Sequence, residues 1–281
     1  MSVTRTRVDR CPGVLRPWPA GDGLLVRVRL IGGRIRSSQL AALVAFAEEY
    51  GDGRVRLTGR ANLQVRGLPG ADGRLAPAVL GALAATGLLP STSHDLVRNV
   101  MVSPQTGLAG GRADLRPVAD ELDRLLCASE RLAALPGKFL FVLDDGRGDL
   151  VDHSCDLGLV ALDGEGAQLR VGARWGEVVD LTAAPAALLT LADEFLDRRG
   201  SGPDAAWHVE ELTADLRRAA PADPRLPEVS GPLPFGRVPG GTHVAVPDSG
   251  LDRAAVERLT SGAGELVVTP WRGVLVPGGE R

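Results

Sequence analysis

Lysine, asparagine, cysteine and aromatic residues are scarce in this 281-residue chain. The cysteines are three, Cys11, Cys127 and Cys155, an odd number at wide spacings that provides neither a disulfide framework nor a metal-ligand pattern. Aromatics make up only 4%, so the core must be built mainly of Ala, Val and Leu. No uninterrupted apolar run approaches the roughly 18 residues of a spanning helix, and the first ten residues are charged, without the apolar region of an export signal. A cytoplasmic protein with no membrane partner is expected. A net charge of -3 and a pI near 5.9 argue against a general nucleic-acid binder. With 44% hydrophobic and 24% charged residues the chain is neither disordered nor membrane-like, and its length allows two compact domains.

What is present is unevenly distributed. Up to Gly67 there are 12 arginines against 5 acidic residues, while the remainder holds 20 basic and 30 acidic residues. The first quarter looks built to meet an anion. Among 32 basic residues the single lysine is Lys138, and the only asparagines are Asn62 and Asn99. All three lie in the segments that carry the polar patterns below.

The order of elements follows from periodicity. Residues 24–30 alternate Val26, Val28 and Leu30 with Arg27 and Arg29, as a half-buried strand does. Leu40, Leu43, Val44 and Ala47 predict a helix over 38–50, with Ser37 or Ser38 as its cap and Gly51 at its end. Strands are predicted at 54–57 and 60–66. A second copy follows near the C-terminus: a strand at 242–246, a helix at 251–259, and a segment 269–276 that runs parallel to 58–65. Two distant copies predict a pseudo-twofold domain whose second half has lost most of the polar residues. Between them lies an α+β segment, with helices marked by Val118, Leu122, Leu125 and Leu126 and by Leu188, Leu189 and Phe195, and strands at 139–143, 158–162 and 167–171. The proline-rich stretch 221–234 reads as a linker.

Period-two alternation over 60–66 would place Arg60, Asn62, Gln64 and Arg66 on one face, with Arg27 and Arg29 on a neighbouring strand. An ordinary solvated sheet face has the same alternation. This face, however, holds only guanidinium and amide groups, whose planar donors suit carboxylates or phosphates. Arg98 beside Asn99 adds a further cation, and Lys138 stands at the mouth of an apolar strand, where a solubility role at a strand edge is the alternative. His153, Ser154 and Cys155 between Asp152 and Asp156 read as a polar turn in preference to a metal site.

In their order and spacing, the segments 27–33, 57–64, 98–104 and 135–139 resemble the siroheme-dependent nitrite/sulfite reductase superfamily. Arg10-Cys11-Pro12-Gly13, Asp22-Gly23-Leu24-Leu25 and the Leu-Pro-Gly-Lys-Phe form at 135–139 look most like its precorrin-3B synthase branch. The resemblance implies an α+β fold: a lead-in at 1–22, two ferredoxin-like half-domains at 23–94 and 232–281, and between them a siroheme-type α+β domain at 95–225. It implies an oxidoreductase of cobalamin biosynthesis that acts on a polycarboxylate tetrapyrrole. The alternatives are a nitrite or sulfite reductase-like subunit and a non-catalytic tetrapyrrole-binding module. Arg27, Arg98 and Lys138 would then act at the reaction site, and Arg27, Arg29, Arg60, Asn62, Gln64, Arg66, Arg98, Asn99 and Lys138 would hold a siroheme or precorrin.

Two departures qualify the resemblance. The reductases carry a second lysine two residues after the first, where this chain has Leu140, which favours the oxygenase branch. Family members also hold a 4Fe-4S cluster on four cysteines of a further domain. The three cysteines here cannot supply four thiolates, so no metal ligands are expected in this chain. A truncated protein, or a partner polypeptide bearing the cluster, is the expectation.

Overall fold

The computed structural model describes Asp9 and residues 11–278. Residues 1–8 and Arg10 of the expected lead-in, with 279–281, lie outside the described residues. The chain divides into two units, one of Cys11–Leu96 with Leu233–Arg281 and one of Met1–Arg10 with Val97–Pro232. No helix among the described residues is long and apolar enough to cross a membrane.

The first unit contains two sheets. Trp18–Ala20, Gly23–Val28, Leu63–Leu68 and Arg56–Leu57 form a four-stranded sheet in that order, its pairs antiparallel. The second sheet runs Gly236–Val238, Gly241–Ala245, Gly273–Pro277, Glu265–Val268 and Arg34–Arg36. Strand Arg34–Arg36 belongs to the first half of the sequence and pairs antiparallel with Glu265–Val268 of the second, so one ladder joins the two halves. Gly33 makes that pairing feasible. Its φ is +71°, and a Cβ there would run into the Val268 carbonyl oxygen.

Helix Ser37–Tyr50 buries Leu40, Leu43, Val44 and Ala47, as the spacing predicts. Its start differs from expectation. Ser37 is the first helical residue and donates its hydroxyl to the Ala263 carbonyl, while the Arg36 N–H is taken by the Gln39 side chain at 3.3 Å. Helix Pro77–Ala85 was not expected at all, because a nine-residue stretch that is apolar nearly all round has no period to read. Val26, Val28, Leu63 and Val65 share one core with these helices and with Val256, Leu259, Leu266 and Val274 from the other half. Each such burial contributes roughly 1.5–3 kcal/mol.

The internal repeat is visible in one turn made twice. Thr58 donates its backbone N–H to the Asn62 carbonyl at 2.9 Å, and Asn62 returns its own N–H to the Thr58 hydroxyl at 3.2 Å. Thr269 and Gly273 make the same pair of bonds at 2.9 and 3.2 Å. Ala61 and Arg272, the fourth residue of each turn, both adopt positive φ, +54° and +57°.

That turn corrects the strand expected over 60–66. The strand is Leu63–Leu68, and Arg60 lies in the turn before it. A left-handed residue at 61 breaks the alternation, so Arg60 and Asn62 do not continue the row of Gln64 and Arg66.

The second unit holds a five-stranded sheet in the order Arg174–Asp180, Gly166–Val171, Leu157–Ala161, Phe141–Asp144 and Val100–Val102. Phe141–Asp144 runs parallel to both of its neighbours. All four of its residues are buried, the near-continuous apolar reading that parallel strands require. Helices Arg116–Ala128 and Ala184–Arg198 pack on one another, and Phe195 of the latter meets Phe139, ring centroids 4.9 Å apart.

Candidate functional site

The predicted residues fall into two groups, one in each unit. In the first unit, Arg27 lies directly across the ladder from Gln64, and Gln64 lies across from Arg56 on its other side. Facing residues of antiparallel strands share a side of the sheet, so an amide sits between two guanidiniums. Arg56 was not singled out from the sequence. Its place beside Gln64 depends on which strand pairs with which, although the Val55-Arg56-Leu57 alternation carries the right parity.

Arg27 is half-buried, and its Nε is a buried donor without a hydrogen-bond partner among the described residues. Burial lowers its pKa, the Cys11 thiol opposes that shift, and Arg60 reinforces it. Arg29 is only 4% exposed. Burial pushes it down to about 10, Asp95 counteracts this, and Arg27 and Arg60 repel it further. Arg27, Arg29 and Arg60 are therefore brought within electrostatic reach of one another. Arg29 also has a scaffold role, donating through Nη1 to the Asp95 carbonyl at 2.9 Å and to that of Pro12 at 3.3 Å.

Asn62 is 1% exposed, and its Oδ1 accepts the Leu30 N–H at 2.9 Å. The amide thus pins the residue following Arg29 to the turn that holds Arg60. Its Nδ2 is a second buried donor lacking a partner among the described residues. Arg66 extends the row of Gln64 and engages Asp22 at 3.2 Å, an ion pair near the surface, and Arg56 engages Asp52 at 2.6 Å.

In the second unit, Asn99 and Lys138 come together through the intervening turn. The Asn99 side chain donates to the Gly137 carbonyl at 3.1 Å, and the Gly137 N–H donates to Asp9 Oδ2 at 2.7 Å. Lys138 places Nζ 4.7 Å from the centroid of the Trp207 ring, a cation–π contact of about 0.5–2 kcal/mol depending on desolvation. Arg98 is 8% exposed and gives both prongs of its fork to Asp123 on helix Arg116–Ala128, each at 2.7 Å. Burial opposes its charge, but the Asp123 contacts outweigh that and its pKa is raised. A bidentate pair of this kind holds the guanidinium in one orientation.

Trp207, one of four tryptophans in an aromatic-poor chain, is marked by no motif in the sequence, and the buried Asp156 reads there only as the border of a polar turn. Asp156 is 1% exposed and accepts from Leu140 N at 2.9 Å, Val209 N at 2.9 Å and His208 Nδ1 at 3.2 Å.

The two candidate cofactors fare differently. The buried Arg29 and half-buried Arg27, which repel one another, together with the partnerless buried donors Arg27 Nε and Asn62 Nδ2, fit a group edged with carboxylates, such as a siroheme or precorrin. A 4Fe-4S cluster does not fit these residues. Cys155 donates to the Gly172 carbonyl at 3.6 Å and burial pushes its thiol up to about 11, while Cys127 contacts Asp123 at 3.8 Å and is raised by burial. Among the described residues no three or more His, Cys, Asp or Glu are grouped to hold a metal ion.

Comparison with known proteins bears on the first group. Residues 17–85 match the nitrite/sulfite reductase ferredoxin-like half domain. A precorrin-3B synthase of Sinorhizobium sp is 36% identical over 149 residues, covering 52% of this chain and 30% of that protein. A ferredoxin–nitrite reductase of Synechococcus elongatus is 34% identical over 143 residues, covering 48% and 27%. The aligned stretches thus span less than a third of these curated relatives. The structure of the NirA protein of Mycobacterium tuberculosis superposes with a TM-score of 0.66 at 18% identity, covering 95% of this chain and 59% of that one. The chain has an α+β fold shared with NirA and resembles the nitrite/sulfite reductase superfamily and precorrin-3B synthase, as the sequence motifs imply.

Proposed function

We propose that this chain is the tetrapyrrole-handling part of a precorrin-3B synthase-type oxidoreductase of cobalamin biosynthesis. The observation that supports it most is the partnerless buried Nε of Arg27, which lies across the ladder from Gln64 and within electrostatic reach of Arg29 and Arg60, inside the stretch that matches the half domain. In this reading Arg27 and Arg60 neutralise ring carboxylates, Gln64 and Asn62 donate hydrogen bonds to them, and Arg29 holds the Pro12 and Asp95 segments in place while adding to the local potential. Lys138 presents an ammonium in the other unit, and Asn99 and Arg98 fix the segments around it. A bound siroheme would supply redox chemistry at its iron. The thiolates for an iron-sulfur cluster are not among these 281 residues and would have to come from outside them, and the cytoplasmic setting expected from the sequence goes with this proposal. The similarity to a nitrite reductase supports a second reading, a siroheme reductase subunit, against which Leu140 in place of a second lysine counts.

Absorption titration with siroheme tests the reading. Saturable binding is expected, weakened by Arg27→Gln and by Arg60→Gln, and lost with the methyl ester of the same ring. Equal binding of acid and ester would show that the cations do not recognise carboxylates.

A further inference from the structure

We propose that Trp207 and Asp156 are positioning residues for Lys138: the indole ring seats the ammonium, and the Asp156 carboxylate fastens together the two segments that carry lysine and ring. The inference deepens the functional reading above and rests on it only for the purpose that the lysine serves.

The geometry is a clamp with three donors on one carboxylate. Asp156 Oδ2 accepts the Leu140 N–H at 2.9 Å, two residues beyond Lys138. Oδ1 accepts the Val209 N–H at 2.9 Å and faces His208 Nδ1 at 3.2 Å, just beyond Trp207. Glu211 completes the second segment by accepting the backbone N–H of Trp207 at 2.7 Å through Oε2. Lys138 and Trp207 are far apart in sequence, so their 4.7 Å approach depends on something that holds both backbones, and Asp156 binds each one. A carboxylate at 1% exposure is costly to bury, and these three donors offset the cost. The seat also limits the ammonium. A lysine has four rotatable stem bonds, and an aromatic face on one side narrows the positions its ammonium can take.

Because Lys138 is the only lysine, isotope-labelled lysine yields one side-chain signal in the whole chain. In 13C-lysine protein free of added lysines, the Cε resonance is expected upfield of a solvated lysine, shifted by the indole ring current. Trp207→Leu should return it to the solvated position, Trp207→Phe should keep part of the shift, and Asp156→Asn should reduce it while the protein stays folded by circular dichroism. A wild-type resonance already at the solvated position, or one unmoved by a folded Trp207→Leu or Asp156→Asn variant, would overturn the proposal. Should Trp207→Leu not fold, the Trp207→Phe and Asp156→Asn shifts decide it. Siroheme titration of the same samples separates the two readings: a seated lysine without siroheme binding removes the functional reading and leaves this one standing.

Discussion

The side-chain amide of Asn99 donates to the carbonyl of Gly137 at 3.1 Å, so that one of the two asparagines holds the turn bearing the only lysine. Asn99 also accepts the Phe141 N–H through its own carbonyl at 2.9 Å, joining the start of the parallel strand to the same turn. Sequence scarcity pointed to both residues, and their relationship is one of support.

Replacing Asn99 with Ala leaves the buried Gly137 carbonyl without that donor. A loss of about 1–3 kcal/mol is expected, measured by urea denaturation. Asn99→Asp should be at least as harmful, because a carboxylate cannot donate to a carbonyl. A stable Asn99→Asp protein would show that the bond contributes little.

Arg27→Gln is expected to separate stability from binding. Removing a half-buried cation that Arg29 and Arg60 repel should leave the melting temperature of the ligand-free protein unchanged or higher. Affinity for a carboxylate-edged ring should fall by about 10-fold or more, the loss of one charge-assisted hydrogen bond of roughly 1.5–3 kcal/mol. A melting temperature that drops with affinity retained would mean that Arg27 serves the scaffold.

Asp149 predicts a pH dependence. It accepts the Ser103 hydroxyl at 2.6 Å, and burial first, then Asp144, raises its pKa to about 7, with Arg147 opposing and Asp145 adding to the rise. In the unfolded chain it titrates near ~4. Between these values the folded form binds the extra proton, so this residue's contribution to stability is greatest below pH ~4 and is lost as the pH rises through about 7. Asp149→Asn should flatten that part of the stability curve, read as melting temperature from pH 4 to 8.

Gly33 and Gly53 both have left-handed backbones, φ +71° and +74°, but differ in surroundings. At Gly53 the nearest atom to an added Cβ is the Glu48 side chain at 3.9 Å, so Gly53→Ala should cost only the backbone strain, about 1–3 kcal/mol. Gly33→Ala should cost more, because the Val268 carbonyl must move and with it the ladder between the two halves. Equal melting temperatures for the two variants would contradict the close approach.

The amino-acid sequence by itself determined the element types wherever a period ran long enough: the helix of Leu40, Leu43, Val44 and Ala47, and the apolar strand expected over 139–143, found at Phe141–Asp144; it also showed that 269–276 parallels 58–65, though not that each copy opens on a turn. Side-chain pattern suffices for these, since the helical and strand periods are properties of consecutive residues. Lys138, Asn62 and Asn99 stand out in the sequence as rare types within patterned segments. Only the tertiary structure decided their partners. Nothing in the alternation over 60–66 shows that Ala61 turns left-handed and takes Arg60 out of the strand, since that conformation is stabilised by the closed turn. Nor could Arg56 beside Gln64, Asp123 on Arg98, or Asp156 between Leu140 and Val209 be read in advance. Such contacts join residues whose separation along the chain carries no information about distance in space, and they exist because strand pairing and core packing bring those backbones together.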